Sequence, residues 1–65
     1  MASGRVTFFN EGKGVGAIAA DDGGPDLRFE RSRLQGVSTV AAGQRVLFER
    51  IQGRTGPEAS VVQPA

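Results

Sequence analysis

The residues best suited to chemistry in this sequence are basic, and most of them are arginines. Seven of the eight basic residues are arginine, and Arg28, Arg31 and Arg33 fall within a stretch of six residues. A guanidinium group can stack on a nucleobase and can also bind a phosphate, so this cluster predicts a contact with nucleic acid. The alternative is a solvated face that neutralises itself, because Glu30 lies among the arginines and can pair with Arg28 or Arg31.

Two aromatic side chains and one lysine precede the arginines. Phe8 and Phe9 lie at the end of a strand-like run, and Lys13 lies in the glycine-rich turn that follows. Because adjacent strand residues point to opposite faces, only one of the two rings can face inward. An exposed ring can stack on a base, and a nearby lysine can hold a phosphate. Phe8 could instead pack at the barrel edge, and Lys13 could be an ordinary solvated turn residue.

Several classes of site are excluded by residues that the sequence lacks. It has no cysteine and no histidine, so it has no disulfide, no thiolate metal site and no histidine acid–base chemistry. The aspartates lie in turn-forming sequence, and no serine has a histidine base available to it. We therefore predict a protein that is not an enzyme and that uses no metal and no cofactor.

Length and charge limit the remaining possibilities. The 65 residues suffice for one domain over residues 1–65, and the net charge of +1 argues against strong non-specific attraction to nucleic acid. No apolar run approaches the roughly 18 residues that a membrane span needs. The first residues lead straight into a strand without a basic and apolar leader. We therefore expect a monomeric protein of the cytoplasm that does not enter a membrane.

Glycine-rich turns separate five short runs with the apolar alternation of β-strands. The predicted strands span residues 4–10, 15–20, 27–31, 44–51 and 59–63, and one helical turn within 32–36 places Leu34 over the barrel end. The predicted inward residues are Val6, Ile18, Leu27, Phe29, Val46 and Phe48. Gly12 and Gly14 of the first turn allow the backbone to adopt positive φ where the hairpin needs it. Composition and spacing alone allow a small Greek-key barrel of the oligonucleotide-binding class or an SH3-like barrel.

The first turn and the strands on either side of it carry a resemblance to a known family. Residues 4–10 read G-R-V-T-F-F-N, and residues 13–18 read K-G-V-G-A-I. This resembles the opening of the bacterial cold-shock proteins, G-T-V-K-W-F-N followed by K-G-F-G-F-I. The resemblance continues through residues 21–27, 43–46 and 56–59, with the glycines in register. It implies an all-β fold, a five-stranded antiparallel Greek-key barrel of the oligonucleotide-binding class, rather than an SH3-like barrel.

The resemblance also identifies where this sequence departs from the family. Cold-shock domains bind single strands by stacking bases on aromatic residues of one sheet face. Phe8 keeps an aromatic ring at the family's tryptophan position, whereas Val15 and Ala17 replace two phenylalanines. In the third strand, Arg28 and Arg31 stand where the family has phenylalanines, and Glu30 stands where it has a histidine. Val37 corresponds to a phenylalanine of the following loop, and Thr7 corresponds to the lysine of the first strand. The resemblance therefore implies a divergent member that lacks most of the stacking aromatics.

Two hypotheses about function follow from this pattern. In the first, the chain binds single-stranded RNA or DNA weakly, with arginines in place of aromatics, and acts in RNA chaperoning or in adjusting transcription or translation. Its contact residues would be Phe8, Phe9, Lys13, Val15, Arg28, Arg31 and Arg33. In the second, the barrel has lost nucleic-acid binding and docks a protein partner through Val15, Ala17, Arg28, Glu30 and Val37. A mixture of small apolar groups and both signs of charge suits a protein partner as well as it suits RNA.

Overall fold

Five β-strands and one turn of 3-10 helix follow one another in the computed structural model, which describes residues 1–65. They are β1 (Ala2–Asn10), β2 (Val15–Ala20), β3 (Leu27–Glu30), the 3-10 turn (Arg31–Arg33), β4 (Arg45–Gln52) and β5 (Pro57–Pro64). The strands form one closed barrel in the order β1-β2-β3-β5-β4. The only helix has three residues, far too few to cross a lipid bilayer.

The barrel closes through a short parallel contact. β1 pairs antiparallel with β2 and with β4, and β2 with β3 and β4 with β5 are antiparallel as well. β3 and β5 instead meet in parallel at the single residue pair Arg28 and Glu58. The predicted five-stranded barrel is therefore confirmed, although one of its five junctions is parallel.

Several strand ends differ from the predicted bounds by one or two residues. β1 begins at Ala2 rather than at residue 4, because its first residues pair with β4, where Ala2 lies opposite Phe48. β5 begins at Pro57, opposite Gln52 and two residues earlier than predicted, and it ends one residue later. β4 is displaced by one residue, and β2 has the predicted bounds. The strand ends that run beyond the predicted bounds are those that pair with a neighbouring strand. The apolar alternation within one strand does not reveal such pairing.

The helical turn comes earlier than the sequence predicts. Arg31 was expected to end the third strand, but it begins the 3-10 turn, in which the Leu34 backbone N–H donates to the Arg31 carbonyl oxygen at 3.0 Å. Leu34 then forms an isolated parallel bridge with Val62 and packs against the core. The turn therefore connects β3 to a segment that covers core residues, which agrees with the role expected of Leu34.

The core lies inside the barrel and is entirely apolar. All six predicted inward residues are buried, and the structure adds Val40, Ala59 and Val62. Val40 lies in the loop before β4, where no strand alternation marks it as a core residue. No polar or charged side chain is buried. The stability of the barrel therefore rests on hydrophobic burial and close packing inside it.

A β-bulge in β1 decides which aromatic ring faces solvent. Val6 lies opposite Ile18 and Phe8 lies opposite Ala17, so Thr7 has no partner of its own in β2. Thr7 and Phe8 are consequently both exposed, and Phe9 turns back toward the core. The prediction that the two phenylalanines cannot both point inward is confirmed, and Phe8 is the outward one.

Glycines near the first turn are required by the geometry. Gly16 lies under the Phe29 ring, and a Cβ there would be 2.6 Å from the Phe8 carbonyl oxygen and 2.8 Å from Phe29 Cζ. Gly14 has φ +71°, a conformation that glycine adopts without strain. Gly12 does not have positive φ, so only Gly14 of the two turn glycines uses this freedom. One left-handed glycine is sufficient to reverse the chain here.

Two aspartates after β2 bind arginines of β4. The Asp21 carboxylate accepts hydrogen bonds from the Ser3 hydroxyl at 2.7 Å and from Arg45 Nη2 at 2.8 Å, and these contacts lower its pKa below the ordinary value of 3.8. The Asp22 carboxylate accepts the Gly24 N–H and an Arg50 N–H, which lower its pKa as well. A lowered native pKa stabilises the fold above the unfolded-state pKa, and this contribution is lost as pH falls through the native value.

Substitution of Gly16 by alanine should lower the free energy of unfolding by about 1–3 kcal/mol, because the added Cβ overlaps the Phe8 carbonyl and the Phe29 ring. Urea unfolding followed by circular dichroism measures the change. Gly12→Ala is the matched control, since its Cβ would meet only the Asn10 side chain, at 3.4 Å. Equal stability of the two variants would contradict the proposed close packing at Gly16.

Stability should fall with decreasing pH below about 4, where the Asp21 and Asp22 carboxylates become protonated. The Asp21→Asn variant should lose part of this pH dependence, because the amide cannot titrate. Urea midpoints measured from pH 2 to pH 7 test this. Asp26→Asn is the control, because the Asp26 side chain makes no hydrogen bond or salt bridge. A slope unchanged by Asp21→Asn would count against the role of this carboxylate.

Candidate nucleic-acid interface

The outward residues of β1, β2 and β3 form one continuous surface, which we call the three-strand face. It consists of Phe8, Val15, Ala17, Arg28 and Glu30. In one row across the sheet, Phe8 lies opposite Ala17, which lies opposite Arg28. Two strand spacings therefore separate Phe8 from Arg28 along the backbone, a distance of about 10 Å. An aromatic ring and a guanidinium thus flank a small, flat alanine.

Phe8 is the most exposed of the aromatic side chains, with 52% of its surface accessible. No aromatic or cation–π contact covers its ring. Exposure of a large apolar ring has a hydration cost in the free protein, and a stacked base would remove it. This geometry favours the stacking role of Phe8 over packing at the barrel edge.

Phe9 belongs to the inner row and has a different environment. It lies opposite Gly16, which lies opposite Phe29, so the missing side chain of Gly16 lets the two rings meet. Their centroids are 5.8 Å apart and their planes differ by 4°. Phe9 is partly buried and packs against the core. It therefore connects the core to the surface at the end of the barrel that carries the β1–β2 turn.

Arg31 ties the first turn to the end of β3. Its backbone N–H donates to the Gly14 carbonyl oxygen at 2.8 Å, and its guanidinium donates to the Glu11 carbonyl oxygen. The guanidinium carbon also lies 5.7 Å from the centroid of the Phe9 ring, within the range of a cation–π interaction. These contacts fix the position of Arg31, although the residue is exposed.

Arg28 and Glu30 form a salt bridge on the three-strand face. Their charged atoms are 3.6 Å apart, and about half of each side chain remains accessible. An exposed pair of this kind contributes about 0–1 kcal/mol to stability, so it can open at little cost. The partner of Glu30 is thus Arg28 and not Arg31, and the charge of this part of the face is partly neutralised.

A polar groove adjoins the three-strand face beyond β3. Its charged lining consists of Arg28, Glu30, Arg33, Arg54 and Glu58, and Ile51 is its one apolar contributor. Three positive and two negative charges leave an excess of one positive charge. Arg54 is not among the predicted site residues. Its position as a basic residue in the glycine-rich loop before β5 is the sequence feature that could have indicated it.

The three clustered arginines do not act as one patch. Arg31 lies with Phe9 at the first turn, whereas Arg28 and Arg33 line the polar groove. Lys13 is exposed in the first turn, where its backbone N–H donates to the Asn10 side chain. The three arginines are close in sequence but lie in two separate positive regions, because the chain leaves β3 through the 3-10 turn.

The residues predicted for protein docking are only partly brought together. Val15 and Ala17 are half-exposed neighbours of Arg28 and Glu30 on the three-strand face. Val37 instead lies in the loop after the 3-10 turn and packs against the core. The apolar part of the face is therefore small. No group of three or more metal-binding side chains lies together anywhere in the chain.

Comparison with known proteins agrees with this architecture. The family model of the 'Cold-shock' DNA-binding domain matches residues 2–65. The cold shock protein ScoF of Streptomyces coelicolor is 45% identical over the whole of both chains. The cold shock-like proteins CspE and CspD of Escherichia coli are 46% and 42% identical; the matches cover 91% and 98% of this chain and 88% and 89% of theirs.

These matches also bear on the question of catalysis. The family consists of nucleic-acid-binding proteins that are not enzymes, which confirms the prediction that this chain is not an enzyme. The closed barrel, the glycine-rich first turn and the full-length matches all lead to the same family assignment. The chain therefore belongs to the cold-shock domain family.

Proposed function

We propose that this protein binds single-stranded RNA or DNA weakly, through the three-strand face and the first turn beside it. The observation that carries the proposal is the exposed Phe8 ring in one row with Ala17 and Arg28. A base can stack on the ring and lie flat over the alanine, while the guanidinium reaches the base or its phosphate. Membership in the family of the 'Cold-shock' DNA-binding domain supports nucleic acid as the ligand.

Weak binding follows from the side chains that flank Phe8. Val15, Ala17, Arg28 and Glu30 stand where the family resemblance places stacking aromatics. Each base–aromatic stack contributes roughly 1–3 kcal/mol, so the loss of four or five such rings removes on the order of 5–10 kcal/mol. A nanomolar complex has only about 12 kcal/mol in total. Arginine can restore part of this through stacking and phosphate contacts, and micromolar affinity is the expected result.

Charge gives the binding a moderate dependence on salt. The chain has a net charge of +1, but its exposed cations Lys13, Arg28, Arg31 and Arg33 lie on or beside the three-strand face. About three phosphate contacts would give a slope near −2 in a plot of log affinity against log salt concentration. Glu30 opposes binding, because it repels phosphate and competes for Arg28.

The family resemblance extends the proposal to a biological role. A weak binder of single strands, with little sequence preference from stacking, suits RNA chaperoning and the adjustment of transcription or translation. We place such a protein in the cytoplasm as a monomer, with nucleic acid as its partner and no cofactor.

A second candidate function is docking of a protein partner on the same face. The Arg28–Glu30 salt bridge favours it, because a neutralised pair beside the small apolar Val15 and Ala17 resembles the mixed surface of a transient interface. Val37 contributes little to this face, since it packs against the core. Failure to bind single strands at low salt, together with retained folding, would favour this second function.

Titration with labelled T-rich, U-rich and mixed oligonucleotides at several salt concentrations tests the first function. We expect dissociation constants below about 10 μM at low salt and a log–log slope near −2. Phe8→Ala should weaken binding at least fivefold, because it removes the exposed ring. Leu47→Ala is the matched control, since Leu47 is a partly exposed apolar residue of β4 outside both the three-strand face and the polar groove. Equal effects of the two substitutions would contradict stacking on Phe8.

Glu30→Gln should strengthen binding about two- to fivefold, because it removes the carboxylate that repels phosphate and releases Arg28 from its salt bridge. The gain should shrink as salt is added, since its origin is electrostatic. Glu49→Gln is the control, because it changes the net charge by the same amount and lies on β4, away from the three-strand face. If both variants gain equally, net charge and not the Arg28–Glu30 pair is responsible.

A further inference from the structure

The polar groove lies where the barrel closes through the fewest backbone contacts. β3 and β5 pair only at Arg28 and Glu58, and the next bridge along the chain joins Leu34 to Val62. Glu58 lies opposite Ile51 of β4, so Arg28, Glu58 and Ile51 line the groove side by side. The groove is open to solvent and has a volume of about 990 Å³. This is the size of a large ligand cleft and suits a segment of several residues.

Three charged side chains in the groove have no partner within the chain. The side chains of Arg33 and Arg54 are exposed and make no hydrogen bond, salt bridge or cation–π contact. Glu58 also makes no side-chain hydrogen bond or salt bridge, and its carboxylate packs against Gly53, where it leaves no room for a Cβ. The groove therefore presents two free cations and one free anion.

β3 also has a backbone edge that no strand covers. The Arg31 N–H donates to the Gly14 carbonyl oxygen at 2.8 Å, so the backbone groups of β3 face β2 at every second residue. By this alternation the N–H and C=O of Glu30 point away from β2 and toward β5, whose pairing with β3 is limited to Arg28. An open edge of this kind accepts an extended chain through main-chain hydrogen bonds.

We propose that the polar groove docks an extended segment of a partner protein that carries both signs of charge. Acidic side chains of the segment pair with Arg33 and Arg54, and a basic side chain pairs with Glu58. The backbone of the segment adds to the open edge of β3 at Glu30. This docking goes beyond the binding of single strands and does not depend on it, because Phe8 lies outside the groove.

A protein segment fits the groove better than a nucleic-acid strand does. Nucleic acid carries a negative charge at every nucleotide, which Glu30 and Glu58 repel. No aromatic side chain lines the groove, so a base finds no ring there on which to stack. A peptide can instead place an acidic and a basic side chain two residues apart, and in an extended chain both point to the same face.

The test uses a synthetic nine-residue peptide, Glu-Ser-Lys-Ser-Glu-Ser-Lys-Ser-Glu, in which charge alternates along one face of an extended strand. Isotope-labelled protein is titrated with it, and the backbone amide shifts are followed by NMR. Docking predicts saturable shifts below about 1 mM peptide at Glu30, Gly53, Arg54 and Thr55, and much smaller shifts at Phe8. Peptides with glutamate alone or lysine alone at the charged positions should bind about fivefold more weakly.

Arg54→Glu should weaken binding of the mixed-charge peptide about fivefold and strengthen binding of the lysine peptide, because it reverses one charge of the groove. Arg5→Glu is the matched control, since Arg5 is an exposed arginine of β1 outside the groove and without a salt bridge. Both variants should bind a T-rich oligonucleotide within about twofold of the native protein at 0.15 M salt, where distant charges are screened.

The outcomes separate this docking from the proposed function. Absence of saturable shifts with all three peptides would overturn the docking, whether or not the oligonucleotide binds. Equal effects of Arg54→Glu and Arg5→Glu on the peptides would overturn it as well, because net charge and not the groove would then attract them. Loss of oligonucleotide binding in Arg54→Glu, with peptide binding unchanged, would assign the groove to nucleic acid instead. A native protein that binds the mixed-charge peptide and no oligonucleotide would support the docking and overturn the proposed function.

Discussion

The barrel depends on the close approach of β1, β2 and β3 at Gly16, where the Phe29 ring occupies the space that a side chain would fill. The absence of a Cβ lets Phe9 and Phe29 stack across the glycine and lets the carbonyl of Phe8 lie close above it. A small barrel has little interior volume, so its two largest core rings, Phe29 and Phe48, must be placed tightly. The strand curvature that this packing requires also determines which residues face outward.

The outer face is free to change because the core does not use it. All buried side chains are apolar, and none belongs to the three-strand face. Replacement of an outward aromatic ring by arginine or alanine therefore leaves the interior packing intact. The bulge at Thr7 keeps Phe8 outward and returns Phe9 to the inner row, so a single irregularity separates the surface ring from the structural one. The fold is thus compatible with several surface chemistries, and fold alone does not determine affinity.

Alternation of apolar residues predicts the strands and six of the nine core residues, because burial on one side of a strand has a period of two. It does not predict Val40, which packs from a loop, or the bulge at Thr7, whose register depends on two strands at once. The three arginines illustrate a further limit. Their spacing suggests one cluster, but the 3-10 turn directs Arg31 to the first turn and leaves Arg28 and Arg33 at the polar groove. Contacts between distant segments decide this separation.

The position of Arg31 shows how one residue can serve the fold and the surface together. Its backbone and side chain join the first turn to the end of β3 by two hydrogen bonds. Its guanidinium carbon lies 5.7 Å from the centroid of the Phe9 ring, and Phe9 in turn stacks on the buried Phe29. Arg28, on the outer face of β3, instead pairs with the nearest carboxylate, Glu30. The two arginines thus differ in their surroundings, because the first turn and Phe9 contact Arg31, whereas a surface carboxylate pairs with Arg28.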